Sequence, residues 1–367
     1  MTMRQKLLLV SARWDHLGGH SGLAPLGEQL QKHFEVQRVV PSLGDKIRVG
    51  AQLIWEVLRE RLLGVPKKQG WSPFYNRNGL LLETAALRML RAQHFDMVFF
   101  EALEDHFDAF AHADRRRPGT RIAGVSHQPP AWWRMYGVDG NVLSGVDLVI
   151  ALSRQAQGFL QERTGHANVH FVPHGVDVDF FSPPEARRSL PVDGPVEVLF
   201  CGQWLRDFAL LTDTLTQLQR APVHFEFHLV VPKFARNFEQ HYRLAQYENV
   251  HWHAGLSDAE LRARYRSAHL MFLPLIDATA NNSVLEAMSA GLPLLVSKLG
   301  GVVDYVEEGN GTFLTAGGGE HAAERLQWCV EHYTACLEMA QRARDGAVEK
   351  LSWEVVAARM ATLAQAV

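Results

Sequence analysis

Three cysteines in 367 residues are too few for a disulfide scaffold, and Cys201, Cys329 and Cys336 show neither CxxC nor metal-site spacing. They read as reduced thiols of a cytosol-like compartment. Long apolar runs are scarce too, and no stretch reaches the roughly 18 residues that a membrane span needs. The segment Lys6 to Arg13 resembles the start of a signal peptide, but Arg13 closes its apolar stretch early. A buried first strand is the expectation there. Excess charge is absent, with 37 Lys plus Arg against 40 Asp plus Glu and a net charge of −3, so no nucleic-acid partner is expected. There is no short-period repeat and no low-complexity tract. An apolar content of 47% excludes disorder, and at about 150 residues per domain the length predicts two domains with their own cores.

What is present is a regular alternation. Short apolar runs bounded by Gly, Pro or Asn occur at Lys6 to Val10, Val36 to Val40, Met97 to Phe100, Arg121 to Val125, Asp147 to Ala151 and His170 to Val172. A second series follows at Glu197 to Phe200, Phe225 to Val231, Val250 to His253, Leu270 to Pro274, Pro293 to Ser297 and Gly311 to Leu314. The spacing leaves room for amphipathic helices between the runs, such as Ser257 to Ala268 with a Ser257/Glu260 capping box. This predicts an α/β chain with two doubly wound, Rossmann-like parallel sheets. The boundary falls at Pro173-His174-Gly175-Val176-Asp177, ahead of the polar, Pro-rich stretch Ser182 to Pro195. The expected domains are 1–172 and 173–352, with a final Ala-rich helix over 353–367 that has Ser352 as its N-cap and carries Trp353, Val356 and Met360 on one stripe.

The small net charge is a cancellation. Residues 1–172 hold 21 basic and 16 acidic side chains, net +5, and residues 173–367 hold 16 and 24, net −8. A positive half suits phosphate or an anionic membrane, and it equally describes a solvated surface. Within it, Ile47, Leu53, Ile54, Val57, Leu58 and Leu62 recur near helical period, accompanied by Lys46, Arg48, Arg59, Arg61, Lys67 and Lys68. Residues 46–68 are therefore either an interfacial helix on anionic lipid or a core-facing amphipathic helix with its loop, the plainer reading.

Three motifs stand where strands end, the place at which ligands bind to open α/β sheets. Gly18-Gly19 follows the first strand in Trp14-Asp15-His16-Leu17-Gly18-Gly19-His20-Ser21-Gly22 and lets backbone amides approach a phosphate or sugar. It is not GxGxxG, and Val40-Pro41 stands where a dinucleotide site would place an acidic residue. Val125-Ser126-His127-Gln128-Pro129-Pro130 presents His127 at a strand end, able to donate to a sugar hydroxyl. Trp132 and Trp133 just beyond it are candidates for stacking on an acceptor or for core packing. The third motif, Leu273 to Pro293, is a strand end, a polar loop and a helix beginning near Ser283, whose free N–H groups and dipole suit a diphosphate. Ser283-x-x-Glu286 reads as a capping box, and a carboxylate in that turn can also accept from ribose hydroxyls. No metal site is expected. Asp177-Val178-Asp179 lies in the interdomain turn, and His251 and His253 lack a third ligand.

Leu285-Glu286-Ala287-Met288-Ser289-Ala290-Gly291-Leu292-Pro293 followed by Gly300-Gly301, the turn His174-Gly175-Val176-Asp177 with Phe181-Ser182-Pro183, and Gly202 after its strand resemble the retaining GT-B glycosyltransferases of the GT4 group. The resemblance implies a GT-B fold and a UDP- or GDP-sugar donor, a substrate rather than a cofactor, held mainly by the second domain. It implies a glycan, lipid-linked or small-molecule acceptor at the first, and transfer of a hexose with retention and without metal. It places the enzyme in the cytoplasm, at most peripheral to the inner face of the membrane, in polysaccharide or glycoconjugate assembly. Carried over by position, Glu286 contacts the ribose and His127 the donor sugar, which makes these the expected catalytic pair. Gly18, Gly19, Gly202, Arg206, Asp277, Thr279, Asn281, Asn282 and Ser283 would surround the donor. The chain departs from the family at two points. Ala278 stands where the first of two paired glutamates belongs, with Asp277 adjacent, and Gln203 takes an arginine position, leaving Arg206 as the nearest cation. Two other readings follow from these departures and the fold: a catalytically weak binding subunit and a sugar-nucleotide 2-epimerase.

Overall fold

The computed structural model describes residues 4–12, 18–63, 70–111, 118–165, 167–186, 188–236, 239–314 and 317–367. Trp14 to Leu17 of the first glycine motif, and Lys67 and Lys68, lie outside them. The chain divides into two compact units. One contains the first strand, Leu26–Val172 and Ala357–Val367, and the other contains Pro173–Val356 together with residues 18–25.

The first unit is built on β1 (Lys6–Val10), β2 (Glu35–Arg38), β3 (Met97–Phe100), β4 (Arg121–Ser126), β5 (Leu148–Ala151) and β6 (Val169–Phe171). They pair in the order β2-β1-β3-β4-β5-β6, each pair parallel. β1, β3, β4 and β5 are apolar along nearly their whole length and buried on both faces, as parallel strands covered by helices must be. The edge strand β2 is exposed and reads Glu-Val-Gln-Arg. Trp132 and Trp133 belong to this core, 3% and 1% exposed, with Trp132 stacked on Phe74 and Trp133 on Trp71. That corrects the acceptor-stacking reading: neither indole has a free face to offer a sugar.

Helix Leu43–Leu63 fits the plainer reading of its segment only in part. Val49 is buried and Leu53 and Val57 are half-buried, but Leu43, Ile47, Ile54, Trp55, Leu58 and Leu62 are exposed. Only part of its apolar surface faces the core.

The second unit holds β7 (Val196–Cys201), β8 (Phe225–Val230), β9 (Val250–His253), β10 (Leu270–Leu273), β11 (Leu294–Ser297) and β12 (Thr312–Leu314). Their order is β12-β11-β10-β7-β8-β9, again all parallel. The chain starts in the middle at β7, winds outward through β8 and β9, and returns to β10 on the other side of β7. This is the doubly wound arrangement, and its crevice lies outside the carboxyl ends of β7 and β10, where the winding reverses. Helix Asp258–Ser267 carries the expected capping box: the Glu260 amide donates to Ser257 Oγ at 3.3 Å and the Ser257 amide to Glu260 Oε2 at 2.7 Å. The last helix runs Trp353–Ala366, with Trp353, Val356 and Met360 buried.

Candidate active site

The strand reversal in the second unit brings two loops together. After β7, Gly202 adopts φ +91° and Leu205 φ +58°, a left-handed conformation unusual for a branched residue. These two turns curl the chain so that Arg206 lies back beneath Gly202. A Cβ at position 202 would come within 2.4 Å of Arg206 Nη2, so glycine is needed there for space as well as for φ. Arg206 Nε donates to the Cys201 carbonyl at 2.9 Å and Nη1 to the Trp204 carbonyl at 2.8 Å. Its Nη2 reaches Ser283 Oγ at 3.1 Å and Asn281 Oδ1 at 3.3 Å. One guanidinium thus ties the loop after β7 to the start of the helix after β10. Burial lowers its pKa, yet an arginine keeps its charge.

That helix is Asn282–Ser289, and its N-cap is Asn281, which has extended backbone and accepts from the Val284 amide at 3.3 Å. The expected Ser283/Glu286 capping box is therefore not formed. With Asn281 as cap, Ser283 already lies inside the first turn, and its hydroxyl donates to the Cys201 carbonyl at 3.2 Å. Glu286 is freed from capping and buried, 4% exposed. Its Oε2 accepts from the Tyr265 hydroxyl and its Oε1 from Ser21 Oγ, each at 2.7 Å. Burial pushes its pKa up to about 7, against the pull of the two hydroxyl donors and of Arg206. A carboxyl poised there accepts or donates a proton near neutral pH.

The loop between β10 and this helix is held from the side by Gly300-Gly301. The Gly301 amide donates to the Ala278 carbonyl at 2.7 Å, and a Cβ on Gly300 would strike that carbonyl at 2.6 Å. Asp277 turns inward to accept from the Ala278 amide at 2.8 Å, and partial burial raises its pKa. Thr279 is buried, and Asn282 is half-exposed at the first helical position.

Residues 18–25 join this second unit. The Gly19 amide donates to Asp258 Oδ2 at 2.9 Å, and Gly18 lies so close to Asp258 that any side chain would collide with it. His20 Nδ1 meets Asp177 Oδ2 at 2.7 Å while its ring stacks on Phe180, 3.7 Å between centroids. A small pocket opens here, lined by His20, Gly22, Gly175, Val176, Asn282, Leu285 and Glu286. Ser21, His20, Asp258 and Tyr265 did not stand out in the sequence. Tyr265 is the inward position of a mid-length helix, and only its hydroxyl bond to Glu286 marks it.

His127 lies in the first unit, just past β4. Its Nε2 is 2.8 Å from the Glu101 carbonyl. Glu104 Oε1 gathers three donors around this loop: Ser126 Oγ at 2.7 Å and the amides of His127 and Gln128 at 3.0 and 3.2 Å. Glu101, 3% exposed, has no hydrogen bond at Oε1 among the described residues, and burial pushes its pKa up to about 8. Burial also raises Asp105 to about 7 and lowers His106 to about 4, the latter helped by His127. Among the described residues no cluster of three or more His, Cys, Asp or Glu has metal-binding geometry.

Two family models match in tandem, Glycosyltransferase Family 4 over residues 18–180 and Glycosyl transferases group 1 over residues 195–332. The chain belongs to the GT4-like group 1 glycosyltransferases. It is 26% identical over 258 residues to an MMP alpha-(1->4)-mannosyltransferase of Mycolicibacterium hassiacum, a match over 66% of the chain and 62% of that relative. It is 26% identical over 248 residues to a D-inositol 3-phosphate glycosyltransferase of Xylanimonas cellulosilytica, over 60% of the chain and 57% of that relative. The chain thus spans less than two thirds of the length of either. Among solved structures, Anabaena HepE in complex with UDP and glucose aligns over 99% of this chain and all of its own, at 17% identity and a TM-score of 0.68. Sucrose-phosphate synthase of Thermosynechococcus elongatus aligns over 99% of both, at 16% identity and a TM-score of 0.72. These likenesses show the GT-B fold.

Proposed function

We propose that the chain transfers a hexose-type sugar from a UDP- or GDP-sugar to a glycan, lipid-linked or small-molecule acceptor, with retention at the anomeric carbon. The observation that carries this reading is Arg206 bound beneath the N-terminus of helix Asn282–Ser289, at the strand reversal, with the buried Glu286 one turn further on. Cleavage of the sugar–phosphate bond leaves negative charge on the departing diphosphate and positive character on the sugar. A helix N-terminus and a fixed guanidinium stabilise that separated charge more than they stabilise the intact donor. Glu286 accepts from the ribose hydroxyls, and His127 in the first unit addresses the donor sugar. The acceptor oxygen bonds to the anomeric carbon on the face the phosphate leaves. Its proton passes to the departing phosphate oxygen, and no enzyme nucleophile is consumed. With Arg206 and the helix supplying positive charge, no metal or organic cofactor takes part. The setting is the cytoplasm. The HepE complexes with UDP and UDP-glucose support the donor class.

The test is release of nucleoside diphosphate from a panel of nucleotide-sugars, with and without candidate acceptors and with a chelator. Acceptor-dependent release that survives chelation supports transfer. Isomerised nucleotide-sugar without release overturns it in favour of an epimerase. Binding with neither outcome leaves a catalytically weak subunit, the reading favoured by Ala278 and Gln203. Glu286→Ala and His127→Ala are each expected to lower turnover by about a hundredfold or more with the fold intact. Wild-type rates in both would remove the assigned catalytic pair.

A further inference from the structure

We propose that the outward face of helix Leu43–Leu63 lies on the surface of an anionic lipid bilayer. At about 100° per residue, Leu43, Ile47, Ile54, Leu58 and Leu62 fall on one arc of roughly 120°, and the structure leaves them 74%, 64%, 63%, 42% and 76% exposed. Trp55 edges the same arc and is also exposed. Soluble helices turn such a stripe inward; this one packs through Val49, Leu53 and Val57 and presents its larger apolar face to solvent.

Charge identifies the occupant. Lys46 and Arg61 border the stripe on one side and Arg48 on the other, all exposed. The acidic residues of the helix, Asp45, Glu56 and Glu60, stand on the opposite side. Asp45 is buried there against Arg88 Nε at 2.9 Å. A second copy of the chain docking by two-fold symmetry would set this cation-rimmed stripe against itself, like charge on like. A layer of anionic headgroups over acyl chains complements both features, with the aliphatic residues and Trp55 in the boundary region and the cations at the phosphates. Among the described residues no helix is long and apolar enough to cross a membrane, so this helix rests on the surface. The inference goes beyond the transfer reading and does not depend on it, because lipid docking is read without turnover.

Flotation of the full chain with phosphatidylglycerol-containing vesicles tests it, phosphatidylcholine vesicles serving as the neutral control. The wild-type chain is expected to float with the anionic vesicles and to be released by salt. Ile54→Asp combined with Leu58→Asp is expected to reduce binding at least about tenfold, while circular dichroism melting stays unchanged because both side chains are exposed. Replacing Lys46, Arg48 and Arg61 with Gln is expected to weaken binding by about fivefold per charge. Failure to float overturns the proposal, as does equal flotation of the Asp variant. Self-association in ultracentrifugation that the Asp variant abolishes, without vesicle binding, likewise overturns it and makes a second copy the occupant.

Discussion

Two buried carboxyls, Glu101 in the first unit and Glu286 in the second, are treated differently. Glu101 follows β3 in the first unit, and no hydrogen bond reaches its Oε1 among the described residues. Glu286 in the second unit is as deeply buried but holds two hydroxyl donors and lies near Arg206. Burial raises both pKa values, to about 8 and about 7 respectively. Each has a cation that offsets burial in part, Arg38 for Glu101 and Arg206 for Glu286, and Glu286 has the two hydroxyl donors besides. The hydroxyl donors hold the Glu286 carboxyl in one geometry, whereas Oε1 of Glu101 has no such donor among the described residues.

Linkage turns this comparison into measurements. An acid whose folded pKa lies above its unfolded value binds its proton more tightly when folded, so stability falls as pH rises from the unfolded pKa to the folded one. For Glu101 that window runs from 4.5 to about 8. Glu101→Gln is expected to remove the decline, with a gain above pH 8 of up to about 5 kcal/mol in urea unfolding, and no gain below pH 4.5. Glu286→Gln is expected to act in the narrower window from 4.5 to about 7. Its gain is limited to about 3 kcal/mol, and it comes with loss of turnover. If the two variants gave equal pH profiles, the partners of Glu286 would carry no electrostatic weight. Tyr265→Phe strips one donor and leaves Glu286 Oε2 unsatisfied, which should destabilise by about 2 kcal/mol at pH 8 and move the Glu286 titration toward that of Glu101. The smallest effect belongs to Ser21→Ala, about 1 kcal/mol, from removal of the other donor.

The inner strands of both sheets are legible in the sequence because parallel strands covered on both faces must be continuously apolar. Runs such as Leu270 to Pro274 and Met97 to Phe100 coincide with observed strands to within a residue. Arg206 stands out only through the family resemblance, and the strand order that sets it beside helix Asn282–Ser289 is seen only in the structure. Local signals mislead where a tertiary contact competes. Ser283-x-x-Glu286 has capping-box spacing, yet Asn281 caps the helix because Arg206, Tyr265 and Ser21 engage the other two residues. Trp132 and Trp133 sit beside a candidate site in sequence, but their large apolar area draws them into the core. The periodicity of residues 43–63 announces an amphipathic helix without saying which face is covered. That answer depends on helix Arg77–Ala92 and its Arg88, which lie some way along the chain.

Neither unit is one uninterrupted stretch of chain. The first is completed by residues 357–367, after 173–356 have formed the other, and residues 18–25 leave the first for the second. During synthesis the second unit can close on itself once residue 356 has emerged, since residues 18–25 are already outside the ribosome. The first must wait for the final helix. A nonsense mutation or proteolytic cut near residue 356 would therefore damage the amino-terminal half of the protein, whose main segment ends at Val172, far back along the chain from the lesion.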